Sequence, residues 1–470
     1  MKRFYLPVIA ALTMALGLFT SCTEKEDTSG EPKMYAFGFL AAKNGGNLFK
    51  DYYVDVTDSI INIKVPYKTD ITFLVASFEM SDKDSAYVGG TFQKTGKSGH
   101  DFTNPVYYSV RDGSNYAYYK VVVTKAAPLA WAQKATLDLD AKQIRAVIDT
   151  TTGFPAAVAV GHDGNLYYIT YSGGSTMNAE KIAVGGTALN GSDVSLCFSE
   201  ANVPYVAYID SEGGLDVVCK TTGWQYAGQK VRKGCRKAGT AVGFALPNLL
   251  AVFASDSVSL REGNAWTGSS PIGGNSFSMK GDYPILTRNG SVTDVLLRAY
   301  NPDGISICSY NGSSWKEMAT DFGQQAAGGQ GEMQVGGFDA CLDYAGDILM
   351  AVSSNDGTGL RQRVLRYDYQ TGAISQMGSA VTEGDAGVSV CAVESSYAND
   401  LYFLYTKRDA AGNLYPYVAE YEGADADWGA GLSMNSQPIK AADIVVNSAG
   451  NAFVLTVDAT GGKIVMNALE

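Results

Sequence analysis

The chain is 470 residues long and acidic, with 36 Lys and Arg against 48 Asp and Glu and a formal net charge of −12. That balance excludes a phosphate-neutralising surface for nucleic acid and electrostatic docking on anionic lipid. Two histidines leave little material for Ser-His-Asp, Cys-His or zinc chemistry, whereas 53 Gly and 29 Tyr with only 18% charged residues suit an all-β protein with many tight turns.

The first segment sets basic Lys2 and Arg3 before an apolar run from Phe4 to Phe19. Sixteen residues fall short of the roughly 20 that a membrane span needs, and Pro7 and Gly17 also suit a cleaved signal over residues 1–21. The closing residues, Leu18-Phe19-Thr20-Ser21-Cys22, resemble the lipobox of bacterial lipoproteins. The resemblance implies that Cys22 is lipidated and becomes the mature N-terminus, so the membrane is reached through the lipid anchor only. Loss of Lys2 and Arg3 takes the mature charge to −14. Residues 22–32 are polar and acidic, cannot bury apolar area, and read as a flexible tether. The stretch Thr23-Glu24-Lys25-Glu26-Asp27-Thr28-Ser29-Gly30-Glu31-Pro32 also resembles the acidic segment that directs Bacteroidetes lipoproteins outward, implying an outer-membrane protein exposed at the cell surface.

Residues 33–126 alternate as half-buried strands do. Ile61, Ile63 and Val65 share one face, with Asn62 and Lys64 on the other. A second run spans Thr72 to Phe78, and Val106–Val110 with Tyr118–Val123 predicts a hairpin over Arg111-Asp112-Gly113-Ser114. Short strands and no helical period predict an Ig-like β-sandwich. The segments Val65–Thr72, Asp101–Val110 and Tyr119–Val123 resemble the Ig-like domains at the base of Bacteroidetes surface lipoproteins, which implies a spacer without a site of its own.

From 128 to 470 a strand pattern recurs, its strongest strand beginning at Leu166, Tyr205, Leu250, Val295, Ile348, Leu401 and Ala452. The spacings of 39, 45, 45, 53, 53 and 51 match one four-stranded propeller blade each. This predicts a seven-bladed β-propeller, with six blades as the alternative if the weak first unit is no blade. The last unit lacks a fourth strand, and the segment around Trp131 predicts ring closure from the other end, removing an open edge. The motif Pro204–Asp210 followed by Gly223-Trp224 resembles repeats of propeller lectins and sialidase-like propellers.

Chemistry is sparse. Trp224, Trp266 and Trp315 recur at one position of the repeat and read as packing between blades, while Trp428, in a polar loop, is the one aromatic candidate for ligand binding. Asp-Gly and Asn-Gly turns have no EF-hand spacing, and turn geometry explains them, so no metal is expected. Cys197, Cys219, Cys235, Cys308, Cys341 and Cys391 read as buried free thiols, with disulfides left open by the oxidising compartment. His100 and His162 read as exposed loop residues, and the Gly/Gln-rich segment 321–332 as a loop between blades. No catalytic residue and no cofactor is indicated. The expectation is an all-β, cell-surface lipoprotein that binds an extracellular ligand, a glycan, without catalysis. The alternatives are a glycoside hydrolase or polysaccharide lyase with a carboxylate or tyrosine site in the propeller funnel, and a module that docks an extracellular protein.

Overall fold

The computed structural model describes residues 31–127 and 130–469, apart from 45–46, 49–50, 66, 68, 236–239, 247–248, 255–256, 263–264, 267–269, 272–284, 289–291, 300–303, 311–312, 314, 320–337, 344, 356–359, 382–391, 396–399, 423–426 and 448–449. The signal segment, Cys22 and the 321–332 segment therefore lie outside the described residues. The chain divides into two compact units, Met1–Pro128 and Leu129–Glu470. Among the described residues the regular structure is β throughout, save one 3-10 turn at Ala41–Lys43, and no helix is long and apolar enough to cross a membrane.

The first unit carries β1 (Met34–Phe39), β2 (Tyr52–Asp55), β3 (Ile60–Val65), β4 (Leu74–Val75), β5 (Ser77–Met80), β6 (Ser85–Val88), β7 (Thr91–Gln93), β8 (Gly99–His100), β9 (Val106–Asp112) and β10 (Asn115–Lys125). They form sheets β2-β1-β5 and β3-β10-β9-β6-β7 and a small pair β4-β8. Period-two alternation does the sorting. Ile61, Ile63 and Val65 point into the core, as do Val106, Tyr108 and Val110 of β9 and Tyr119, Val121 and Val123 of β10. The β9–β10 hairpin forms over the expected turn, where Gly113 takes a φ of +56° that a side chain would resist. Aromatic rings fill the centre: Phe37 meets Tyr108 edge-on at 5.2 Å and lies near-parallel to Phe78 at 6.3 Å, and Phe39 meets Phe102 at 5.0 Å.

Two expectations need correction here. The run Thr72–Phe78 is not one strand. The buried Asn44 amide takes both backbone groups of Val75, its Oδ1 accepting from Val75 N at 2.8 Å and its Nδ2 donating to Val75 O at 3.0 Å. The chain therefore switches partners, β4 pairing with β8 and β5 with β1. His100 is not an exposed loop residue either. It ends β8, half-buried, with Nε2 2.6 Å from Gln93 Oε1 and its ring edge-on to Phe102 and Tyr108, and burial holds its pKa below the usual histidine range. His162 does sit in an exposed turn.

The second unit repeats one antiparallel meander. Its innermost strands are Ala141–Ile148, Ser192–Phe198, Thr240–Leu246, Ile285–Arg288, Phe338–Leu342, Ala392–Ser395 and Ile439–Val446. Each begins a run of paired strands that follow in chain order, and the last two runs are joined edge to edge by the single pair Leu414–Ile439. These inner strands adjoin one another in sequence, and the last adjoins the first, so the sheets stand radially around an axis, the arrangement of a β-propeller. Sheet-to-sheet packing is apolar: Val158, Leu166 and Tyr168 of the first sheet meet Leu196, Val206 and Tyr208 of the second. The final sheet is completed from the other end of the unit. Trp131–Leu137 pairs antiparallel with Ile464–Leu469, Trp131 opposite Leu469 and Leu137 opposite Ile464.

The register of the first repeat also changes. Leu166–Tyr171 is the third strand of its sheet, and the strand equivalent to Pro204–Ile209 is Pro155–Gly161, buried along its whole length. The short first spacing of 39 therefore separates unlike strands, and the equivalent strands begin at Pro155 and Pro204. The hairpin turns follow one chemistry. In Asp210–Gly214, Asp210 Oδ1 accepts from Glu212 N at 2.8 Å and Gly214 N at 2.7 Å, and Gly213 sits at φ +79°.

Candidate functional site

Trp428, the aromatic candidate for ligand binding, shares its setting with the other tryptophans of the second unit. Trp224 Nε1 donates to Glu180 Oε1 at 2.6 Å, Trp266 Nε1 to Ala227 O at 3.0 Å, and Trp428 Nε1 to Met377 O at 2.8 Å. In each case the Trp lies on or beside the outer strand of one sheet, and its acceptor lies on the outer strand of the sheet before it. Trp131 meets Tyr402 of the preceding sheet edge-on at 6.4 Å. These indoles therefore tie neighbouring sheets together. Trp315 opens the strand Trp315–Ala319. Trp428 is half-buried, packed on Phe403 at 5.3 Å and Tyr421 at 5.2 Å, so only the uncovered part of its ring faces solvent. Trp428→Phe is expected to lose about 1 kcal/mol through the missing indole hydrogen bond. Chemical denaturation against wild type checks this, and an unchanged midpoint counts against the tie.

The ring axis carries charge. Arg145, Ser195, Asp339 and Asp443 hold the same place on four inner strands, each opposite the fourth residue of the neighbouring strand (Val158, Ala207, Ala351 and Leu455). Three of them accept an amide hydrogen bond from the next inner strand. Val242 N donates to Ser195 Oγ at 3.2 Å, Ala146 N to Asp443 Oδ2 at 2.8 Å, and Val393 N to Asp339 Oδ2 at 3.4 Å. Burial is the main reason both aspartates sit above the ordinary carboxylate range. Asp339 is pushed up to about 7, with the Asp443 charge adding to burial and Arg145 opposing it, and Asp443 is raised by burial against the pull of Arg145. Here two acids and a cation converge, and the acids are also clasps between sheets.

The pH consequence has a definite sign. An aspartate raised above its unfolded value of about 3.9 binds extra proton in the native state between the two values, so it removes stability as pH rises through about 7. The second unit is therefore expected to melt several degrees lower at pH 8 than at pH 5, and Asp339→Asn, which keeps an acceptor for Val393 N, to flatten that dependence. Calorimetry at four pH values checks it, and parallel pH slopes for the two proteins would sink the assignment.

Other acids are spent locally. Asp409 Oδ1 accepts from Ala411 N at 2.9 Å and Asn413 N at 2.8 Å, and Asp368 Oδ1 from Gln370 N and Thr371 N, so these oxygens serve their own turns. Among the described residues no group of three or more His, Cys, Asp or Glu is placed to hold a metal ion. Cys197 and Cys219 are free thiols, Cys219, Cys235 and Cys341 are buried, and Cys391 lies outside the described residues.

The surface that sequence reading passed over lies on the first unit. Of the large apolar side chains exposed among the described residues, Ile60, Phe92, Tyr107, Tyr116 and Tyr118 are each at least half exposed, and all project from the outer face of the five-stranded sheet. Strand register places them in rows. Tyr118, Ser109, Tyr87 and Phe92 cross four strands in one row, flanked by Tyr116, Arg111 and Ser85 on one side and Ile60, Lys120 and Tyr107 on the other. At roughly 4.8 Å per strand the central row spans about 14 Å. Tyr116 and Tyr118 stack at 6.4 Å with an interplanar angle of 11°, Tyr87 meets Phe92 at 5.8 Å, and Arg111 lies 4.2 Å over Tyr87 and 5.2 Å from Tyr116. An exposed aromatic surface of this extent makes this face the candidate interaction site. The signal was present in the sequence, as tyrosines at the outward positions of an amphipathic hairpin where polar residues are the rule.

Residues 48–123 match the family described as SGBP, N-terminal. No curated protein sequence matches the chain. Among solved structures, the BP39L lectin from Burkholderia pseudomallei is similar over 71% of this chain and 97% of its own, at 15% identity and a TM-score of 0.50. The Aleuria aurantia lectin, a six-bladed β-propeller that recognises fucose, aligns over 63% of this chain and 97% of its own at 12% identity and a TM-score of 0.42. A Dyadobacter fermentans protein of unknown function aligns over 73% and 100% at 12% identity and a TM-score of 0.45. The first likeness is one of fold alone, and the cyclic array of inner strands described above is what makes the second unit a β-propeller.

Proposed function

We propose that this chain is a lipid-anchored protein of the outer cell surface that captures a glycan without cleaving it. The observation that carries the reading is a coincidence of place. The exposed aromatic face lies wholly within residues 48–123, the segment that matches the N-terminal region of surface glycan-binding proteins. Flat aromatic rings offer the apolar contact that sugar rings accept. The likeness in fold to the BP39L lectin is consistent with this role. On this reading Cys22 carries the lipid, residues 22–32 form the tether, residues 33–126 are an Ig-like sandwich, and residues 128–470 are a propeller of seven blades. The two sheets around one core support the sandwich, and the seven inner strands adjoining in a cycle support the blade count.

The test uses the soluble chain from Glu31 to Glu470 on a broad polysaccharide panel, with retention and product release measured together. Retention without release is expected, reduced at least tenfold in Tyr116→Ala/Tyr118→Ala. Silence against every polysaccharide overturns the reading in favour of a protein partner. One observation favours a second reading, a glycoside hydrolase or polysaccharide lyase. Asp339, near 7, holds a proton in the range a general acid uses, and Asp443 and Arg145 stand close by. Release of oligosaccharides, lost in Asp339→Asn, would establish that reading instead.

A further inference from the structure

The outer face of the five-stranded sheet has a charge pattern unlike the rest of the chain. Its outward positions on β3, β6, β7, β9 and β10 include Lys64, Arg111 and Lys120 and not one Asp or Glu. The whole chain, by contrast, has 12 more acidic than basic residues. Among the described residues no acid pairs with these three cations, whereas Lys83 beside them is paired with Asp112 at 3.1 Å. Arg111 is held by its flat sides, stacked over Tyr87 and towards Tyr116, and its buried Nε has no hydrogen-bond partner. A guanidinium stacked in this way keeps its N–H edge for a planar anion, which it grips with two hydrogen bonds.

We propose that this face binds an anionic polysaccharide, its sugar rings lying on Tyr116, Tyr118 and Tyr87 and a carboxylate or sulfate of the chain seated on Arg111, with Lys120 beside it. This rests on the glycan-capture reading and names its ligand class. A neutral glycan would need the rings and not the cations, and an acidic polypeptide would need the cations and not a row of rings. Arg111 and Lys120, without acidic partners on either side of an aromatic row, fit a ligand carrying both features. Desolvated contact with a cation in such a row is worth more than at an open surface.

The experiment measures retention of the full mature chain in gels containing polygalacturonate, alginate or chondroitin sulfate. Methyl-esterified polygalacturonate supplies rings without charge, and polyglutamate supplies charge without rings. Wild type is expected to be retained by at least one anionic polysaccharide, and at least tenfold less by the ester and by polyglutamate, with affinity falling as salt rises. Arg111→Gln/Lys120→Gln and Tyr116→Ala/Tyr118→Ala are each expected to lose at least tenfold. Their melting curves should stay within a few degrees of wild type, because these side chains are exposed or half-buried on the outer face, away from the core. Equal retention on the ester, equal retention on polyglutamate, no retention on any anionic polysaccharide, or unchanged retention by Arg111→Gln/Lys120→Gln overturns the proposal. A neutral polysaccharide that is bound by wild type and lost only in the tyrosine variant overturns the anionic ligand and leaves glycan capture standing.

Discussion

A chain ending at Lys463 is expected to have no folded second unit. The missing strand, Ile464–Leu469, is buried at every position and lies between two partners, Ala452–Asp458 on one side and Trp131–Leu137 on the other. Its four large apolar side chains, Ile464, Val465, Met466 and Leu469, each contribute about 1.5–3 kcal/mol by burial, so their sum is comparable to the roughly 5–15 kcal/mol that stabilises a whole domain. The loss is larger than this sum, because Trp131–Leu137 then has no partner strand and the sheet beside it exposes a bare edge. Calorimetry should show the transition of the second unit abolished and that of the first retained. Met466→Ala is the control: it removes one side chain, costs about 2–5 kcal/mol and leaves the ring closed. A shortened chain that still melts in two steps near the wild-type temperatures would show that closure does not hold the ring together.

Phe37→Ala is the second large effect, and it falls on the first unit alone. The ring is fully buried and touches Phe39, Phe78 and Tyr108, which link the two sheets of this unit. Truncating a buried phenylalanine leaves a cavity that stiff strands cannot close, at a cost of about 3–5 kcal/mol. For a unit of about 95 residues that is a large share of the total, and its melting temperature should fall by more than about 10 °C. Phe37→Leu, which refills part of the space, should lose less than half as much. The transition of the second unit should not move. A fall of under 3 °C for Phe37→Ala would mean that the unit's stability lies elsewhere than in this aromatic centre.

How much of this was legible depends on where side chains point. The alternation of Ile61, Ile63 and Val65 was readable because three β-branched residues with polar neighbours admit one burial pattern, and the β9–β10 hairpin was readable from Asp112-Gly113. The first propeller repeat was misplaced because Leu166–Tyr171 has the larger, more strand-like side chains. Its neighbour Pro155–Gly161 is mostly Ala, Val and Gly, small residues that fit a crowded inner position and carry little periodic signal. The break after Val75 depends on Asn44, 31 residues before Val75, which no local pattern reveals. The aromatic face escaped for a different reason. Tyr107, Tyr116 and Tyr118 are good strand formers and were counted towards the fold, and only knowledge that they face outward turns them into evidence of binding. The axis cluster needed the ring itself, since Arg145, Asp339 and Asp443 lie on strands far apart in the chain.

The pairing of Trp131 with Leu469 also bears on time. The two residues are more than three hundred positions apart, so this ladder is the longest-range contact in its sheet and carries the full entropic cost of bringing the ends of the unit together. Neighbouring strands elsewhere in the unit are joined by short turns and can form quickly, whereas contacts of such separation slow folding. During that interval two strand edges stay bare, able to recruit the same edges from another copy. The vulnerable moment in the life of this protein is thus the wait between the last hairpin and the closing ladder.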